Sequence, residues 1–298
     1  MRRAGGPYTR GAGHAPALAP DSCWTPLPTD LATTHQLATT IDMPVAASPA
    51  HHHTRRCRSR TAQARTAAAL GARHRVFVTG HGAAQVEEHL RQANPGQAMQ
   101  VVRQEPQLGT GHAVMQAMPV LPDDGLVVVL SGDVPLITAA TLSRLVQACQ
   151  GESLALLTVC PADPTGYGRV VRNGSGQVQA IVEQKDANEA QRAIGEVYSG
   201  IMAAPTKRLR DWLSRLDNRN AQGEFYLTDV VRFAVQDGAQ VMTHTIDQAW
   251  QVEGVNTPVQ LAQMERAYQQ LQATQLMLEG LELLISAFHL RQLNALIS

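Results

Sequence analysis

The chain has 298 residues, of which 44% are hydrophobic and only 4% aromatic, and its formal net charge is zero. That length fits one large α/β domain, alone or with appendages, around an aliphatic core. The absence of a long apolar run argues against a membrane-spanning helix, and the neutral balance against a uniformly basic nucleic-acid binder.

The neutrality hides an asymmetry. Residues 1–75 carry ten Arg against three Asp, with no Lys and no Glu, and so sum to +7. The only two lysines are Lys185 and Lys207. Residues 1–60 are rich in Ala, Pro, Thr, Arg and His and show no sustained period of 2 or 3.6. They are expected to be disordered, or to be coding sequence read out of frame. A nucleic-acid-binding arm is not expected, because Lys and interleaved aromatics are missing. His51-His52-His53 reads as solvated rather than metal-binding. Cys23, Cys57, Cys149 and Cys160 form no CxxC pair, as expected of free thiols in a cytosolic protein.

From Thr61 the pattern changes. Ala62–Ala72 predicts a short helix, Arg75–Thr79 a strand stopped by Gly80-His81-Gly82, Ala83–Ala93 a helix, and Met99–Arg103 a strand. Gly109-Thr110-Gly111 opens a helix over His112–Met118. Leu126-Val127-Val128-Val129-Leu130 is a strand buried on both faces, followed by Ser131-Gly132-Asp133 and stopped by Pro135. A helix over Thr138–Gln150 comes next. Strands alternating with helices of about ten residues make parallel βαβ units. Strands are then expected at Leu154–Val159, Gly168–Arg172, Val178–Glu183, Val197–Ala203, Gln240–Thr245 and Trp250–Val252. Helices are expected at Thr206–Leu216 and Tyr226–Asp237, with a long amphipathic one from Thr257 to about Leu278.

Asp133 puts a carboxylate at the carboxyl end of a buried strand, where open α/β sheets bind ligands. A simple cap on the next turn is the competing reading. Gly109-Thr110-Gly111 offers unhindered N–H groups at a positive helix end, and a plain glycine turn explains it as well. Gln104 and Gln107, just upstream, are suited to contacting a base. Four segments are more particular: Asp163-Pro164-Thr165-Gly166-Tyr167-Gly168-Arg169, Glu183-Gln184-Lys185-Asp186-Ala187, Gln222-Gly223-Glu224-Phe225-Tyr226-Leu227-Thr228-Asp229 and Glu253-Gly254-Val255-Asn256.

As an ordered set these motifs resemble the uridylyltransferase domain of the bacterial bifunctional N-acetylglucosamine-1-phosphate uridyltransferase / glucosamine-1-phosphate acetyltransferase family, from about Thr61 to Gly280. The resemblance implies a Rossmann-like nucleotidyltransferase domain with a mixed, mostly parallel sheet. It implies uridylyl transfer from UTP to N-acetylglucosamine 1-phosphate with release of pyrophosphate, and Mg²⁺ as cofactor. Asp133 matches the family's metal-binding aspartate and Asn256 the second metal ligand. Gln104, Gly109 and Thr110 fall on uracil-contacting positions, and Gly166 and Glu183 on amino-sugar contacts. Ser131 and Gly132 belong to the same strand-end segment, Ser131 standing where the family often has Tyr. Tyr198 stands where the family often has Asn.

Two departures are plain. The family's amino-terminal strand and glycine-rich triphosphate loop, with its Arg and Lys, are not found. Arg3–Arg10 is only a faint echo of that loop, and no Lys precedes Lys185. The domain at 61–280 is therefore expected to lack its first strand, and no catalytic Arg or Lys is identified. The acetyltransferase β-helix is likewise not found, and 281–298 reads as an aberrant tail. The family's homotrimer is thus not expected. The expected location is the cytoplasm.

Overall fold

The computed structural model describes residues 37–42, 63–80, 83–93, 99–255 and 257–278. Its centre is a nine-stranded sheet. The strands are β1 Leu37–Asp42, β2 His74–Thr79, β3 Gln100–Arg103, β4 Leu126–Ser131, β5 Leu154–Val159, β6 Gly168–Arg172, β7 Val178–Val182, β8 Val197–Pro205 and β9 Val241–Ile246. Their order is β3-β2-β1-β4-β8-β5-β9, with the β6·β7 hairpin attached to β8. Along that path only β8 runs against its neighbours, so the sheet is mixed and mostly parallel, as expected.

Alternation on each strand divides the core into two layers. Val127 and Val129 of β4 pack with Val76, Val78, Leu154 and Leu156 on one face. That face is covered by helices α3 Thr110–Ala117, α6 Thr206–Leu213 and α7 Asp229–Gln236. Leu126, Val128 and Leu130 pack with Phe77, Ala155 and Leu157 on the other. There lie α1 over residues 63–69, α2 Ala83–Ala93 and α4 Ala139–Ala148. Burial on both faces is why β4 reads as an uninterrupted aliphatic run. Of the two cysteines described, both are free, Cys149 buried and Cys160 exposed.

Several expectations need correction. The central strand is not missing: β1 lies between β2 and β4, parallel to both. It comes from the segment expected to be irregular. Thr39, Thr40 and Ile41 are β-branched and suit a strand. Local periodicity does not reveal them because the pairing comes from two parallel edges far along the chain. Trp250–Val252 is not a strand but part of a short 3-10 turn at Ala249–Gln251. The short helix α5 Glu189–Arg192 was not expected, although Asn188 and Gln191 form a reciprocal capping box there. The long helix α8 Pro258–Leu278 buries only Met264 and Ala273 among its described side chains, so its apolar stripe is mostly uncovered. Arg3–Arg10, His51–His53 and Leu281–Ser298 lie outside the described residues.

The position of β1 can be tested with one substitution. Thr40 pairs with Val76 on one side and Val129 on the other. Thr40→Pro removes a ladder donor and is expected to cost about 2 kcal/mol or more in denaturant unfolding. An unchanged midpoint would show that this segment does not fill the central slot.

Candidate functional site

The parallel strands deliver their carboxyl ends to one edge of the sheet, where ligands of open α/β folds bind. Asp42 at the end of β1 pairs with Ser131 at the end of β4, and Thr79 at the end of β2 with Arg103 of β3. Asp133 and Gln104 follow directly.

Asp133 is half-buried. Ser131 Oγ donates to its Oδ1 at 2.8 Å, and the Val255 N–H donates to its backbone carbonyl at 2.9 Å. The 253–255 segment is thereby tied to the Asp133 turn, although Asn256 itself lies outside the described residues. Gly200 lies beside Ser131, where a Cβ would make ordinary contact at 3.4 Å, and its φ of +86° is what favours glycine. Tyr167 faces the same region. Its phenol is pushed above its ordinary value by burial first, and then by the negative charges of Glu253 and Asp133.

Oδ2 of Asp133 carries no bond to the described residues. A half-buried carboxylate with one oxygen oriented by a hydroxyl and one left over suits Mg²⁺, which takes one or two protein oxygens and fills its octahedron with water and phosphate.

A second group surrounds Gln104, which is 4% exposed. The Gln104 Nε2 donates to the Gly109 carbonyl at 2.9 Å and lies 3.2 Å from His112 Nδ1. The Gly109–Gly111 segment is held against 225–227 backbone to backbone. Phe225 N–H donates to Leu108 O at 2.8 Å, and Gly111 N–H to Phe225 O at 2.8 Å. Leu227 N–H donates to Thr110 Oγ1 at 3.1 Å. The two glycines are required by this approach. A Cβ on Gly109 would lie 2.8 Å from Glu224 Cβ, and one on Gly111 would lie 2.9 Å from Phe225 O. The expectation of unhindered N–H groups is thus corrected at Gly111, whose N–H is already committed within the protein.

Glu183 forms a third group, past the end of β7. Its Oε1 accepts from Thr228 Oγ1 at 2.9 Å, and its Oε2 would be 3.6 Å from a Cβ on Gly168. Burial raises its pKa above the usual carboxylate range. The neighbouring Asp186, Asp229 and Glu224 add to that, while the Thr228 hydrogen bond opposes it. Tyr226 is raised by burial first and then by Asp186. Gly166, with φ +89°, sits exposed in the loop before β6. Tyr198 is buried in β8, paired with Thr158 of β5 and Gly168 of β6, close to the Glu183 side of this group. Leu227 and Thr228 join the second group to the third, since adjacent residues bond Thr110 and Glu183.

Two positioning residues have no role assigned from the sequence: Gln63 belongs to no motif, and Arg169 closes the Asp163–Arg169 segment. Gln63 is fully buried in the helix over 63–69; its Nε2 donates to Ser131 O and, at 2.8 Å, to Val134 O, strapping the Asp133 turn from both sides. Arg169, 1% exposed, donates to Tyr167 O, to Gln184 Oε1 at 2.6 Å and to Arg192 O at 3.4 Å. All three acceptors are neutral oxygens, and they link the Gly166 loop, the Glu183 loop and α5. Arg169 could have been singled out as a charged residue inside a strand.

The nucleotidyl transferase family profile matches residues 60–254, well over half of the chain. The chain belongs to the nucleotidyl transferase family. It is 61% identical over 223 residues to the bifunctional protein GlmU of Polaromonas naphthalenivorans, covering 73% of this chain and 47% of that protein. To the bifunctional protein GlmU of Albidiferax ferrireducens it is 62% identical over 221 residues, again 73% and 47%. It therefore spans about half the length of the curated relatives it matches. Among solved structures, a UDP-glucose pyrophosphorylase complexed with UDP-glucose superposes with TM-score 0.58 at 14% identity, covering 78% of this chain and 98% of that one, which supports the fold alone. No described helix is long and apolar enough to cross a membrane.

Two outcomes follow for this nucleotidyl transferase site. A raised carboxyl pKa favours the folded state fully below its unfolded value and loses that advantage as pH rises through the folded value. Glu183→Gln is therefore expected to raise the melting temperature at pH 7, with the gain vanishing as pH falls below the ordinary carboxylate range; a pH series of melts reads this. Gly109→Ala, which strains a left-handed backbone and pushes a Cβ into Phe225 O, is expected to destabilise by about 1–3 kcal/mol in chemical denaturation.

Proposed function

We propose that residues 61–280, with β1 completing the sheet, act in uridylyl transfer: the phosphate oxygen of N-acetylglucosamine 1-phosphate attacks the α-phosphorus of UTP, pyrophosphate leaves, and UDP-N-acetylglucosamine remains. The observation that carries this is the joining of two residue groups, with the Asp133 turn at the same ends of the parallel strands. The continuous link from Thr110 through Leu227 and Thr228 to Glu183 ties the Gln104 group to a carboxylate suited to sugar hydroxyls or an N-acetyl N–H. The GlmU likeness over 73% of the chain supports the same substrates.

In this reading Gln104, Gly109 and Thr110 bind uracil. Gly166 and Glu183 bind the amino sugar, with Tyr198 beside them, and Ser131 and Gly132 line the strand end. Asp133 and Asn256 would hold Mg²⁺. That ion, when bound, neutralises phosphate charge in a reaction governed by positioning and electrostatics. Ser131 fixes the Asp133 carboxylate, Gln63 holds the turn that carries it, and Arg169 holds the two sugar-side loops in register. A cytoplasmic setting, where UTP is available, fits these substrates.

The test is a coupled pyrophosphate-release assay with UTP, Mg²⁺ and N-acetylglucosamine 1-phosphate. Release is expected only with all three, and Asp133→Asn is expected to lower it about 100-fold. A second reading, binding without transfer, is favoured by one observation: no lysine occurs before Lys185, so none is available to hold a triphosphate from the first loop. Calorimetric binding of UDP-N-acetylglucosamine with no pyrophosphate release would assign that reading instead. Absence of both would remove the site.

A further inference from the structure

The Gln104 carboxamide is fixed from two directions. One direction is a backbone carbonyl, Gly109 O, at 2.9 Å from Nε2. A carbonyl accepts and never donates, so turning the Gln104 amide over would set its Oε1 against another acceptor. The amide must therefore keep its NH₂ on this side. Its second N–H is directed at His112 Nδ1, 3.2 Å away. That ring nitrogen must then accept, and in a neutral imidazole the proton sits on Nε2.

On the far side of the ring, His112 Nε2 lies 3.1 Å from the Gln116 carboxamide nitrogen, four residues on along α3. Two donors would face each other there. Turning the half-buried Gln116 amide over offers Oε1 as the acceptor and gives up only a 3.3 Å bond to His112 O. The ring is also tilted at 32° against Phe225 with centroids 6.1 Å apart, and Phe225 is held by its own bond to Leu108 O. The Gln104 backbone is anchored in turn, its N–H donating to Thr79 O at 2.9 Å. With both amide hydrogens used, Gln104 Oε1 is the end of the side chain that no described residue donates to. It is an oriented acceptor in a residue with almost no water contact.

We infer that His112 is a specificity-determining positioning residue: through its unprotonated Nδ1, together with Gly109 O, it keeps Gln104 Oε1 directed at the nucleobase and so selects pyrimidines bearing a ring N–H, uracil over cytosine. This rests on the base-subsite reading of Gln104 given above. Uracil N3–H donates to Oε1. Cytosine N3 is an acceptor and would face Oε1 unpaired, and the Gly109 carbonyl opposes turning the amide. A site built to bond an N–H rejects a base that lacks it more strongly than shape alone allows.

The experiment uses the full chain and compares calorimetric Kd values for UDP and CDP in wild type, His112→Leu and His112→Asn. Wild type is expected to prefer UDP about tenfold or more, the factor for one buried hydrogen bond. His112→Leu removes the acceptor and is expected to cut that ratio about tenfold. His112→Asn, whose Oδ1 can accept in place of Nδ1, is expected to keep most of it. A long-range ¹H–¹⁵N spectrum of the ligand-free wild type is expected to show the His112 proton on Nε2. The inference is overturned by an unchanged ratio in a His112→Leu protein with a cooperative melt, or by a proton on Nδ1. If His112→Leu does not fold, the His112→Asn ratio and the wild-type spectrum still decide. A wild-type chain that binds neither nucleotide removes the base-subsite reading itself, and this inference with it. That result is distinct from binding without discrimination, which overturns the inference and leaves UDP binding in place.

Discussion

The site depends on one backbone contact, the close approach of Leu108–Gly111 to Phe225–Leu227. Two N–H···O bonds of 2.8 Å hold segments more than a hundred residues apart. Only glycine fits at 109 and 111, because a Cβ at either would enter the opposite backbone or its Cβ. Each bond alone is worth about 1 kcal/mol net. Their effect is geometric: they fix Gly109 O under Gln104 and set Phe225 against His112. They also bring Leu227 and Thr228 into line, the first bonded to Thr110 and the second to Glu183. The Gln104 group and the Glu183 group are thus tied into a single bracket rather than two loops placed separately.

The Asp133 side is built by a different device. There the turn after β4 is held from below by Gln63 and from above by the 253–255 segment, so that helix, strand end and late loop converge on Asp133. Ser131, a small residue, orients the carboxylate through its hydroxyl, with Gly200 beside it. Burial and like charge raise the Glu183 carboxyl, whereas at Asp133 a hydroxyl holds one oxygen and no described residue bonds the other. The two carboxylates therefore stand in different surroundings, Glu183 tied to Thr228 among acidic neighbours and Asp133 with one oxygen left for a ligand.

What the sequence revealed follows from whether the signal was local. β4 and Ala83–Ala93 were legible because burial on two faces and helical period leave runs in the chain itself. Gln104, Gly109, Thr110, Glu183 and Asp133 could be singled out as candidates because each stands at or near an element end. The bonds made by Gln63 and Arg169 were not readable, since most of their acceptors are backbone carbonyls with no residue identity to read. The reading of Gly109-Thr110-Gly111 as unhindered N–H groups at a helix start missed the same kind of fact: glycine permits close approach by any backbone, and here the visitor at Gly111 is the protein itself. β1 was missed because six residues with three β-branched side chains are too short a signal within a Pro- and Ala-rich stretch. Two open parallel edges make it a strand.

That strand sets the last constraint. Its register puts Asp42 beside Ser131, so the chain leaving β1 departs next to the Asp133 turn. In the sequence, no Lys or Arg occurs between Asp42 and Arg55. Recognition of a base and a sugar asks for donors, acceptors and shape, which Gln104 and Glu183 would offer in the proposed reading. Transfer asks in addition for positive charge on the phosphates, where a single oriented donor is commonly worth a few kcal/mol of barrier. Asp133, beside the end of β1, is suited to bringing a cation there. Binding and transfer thus ask for different chemistry, the first for hydrogen-bonding side chains packed into the fold and the second for charge at the sheet edge.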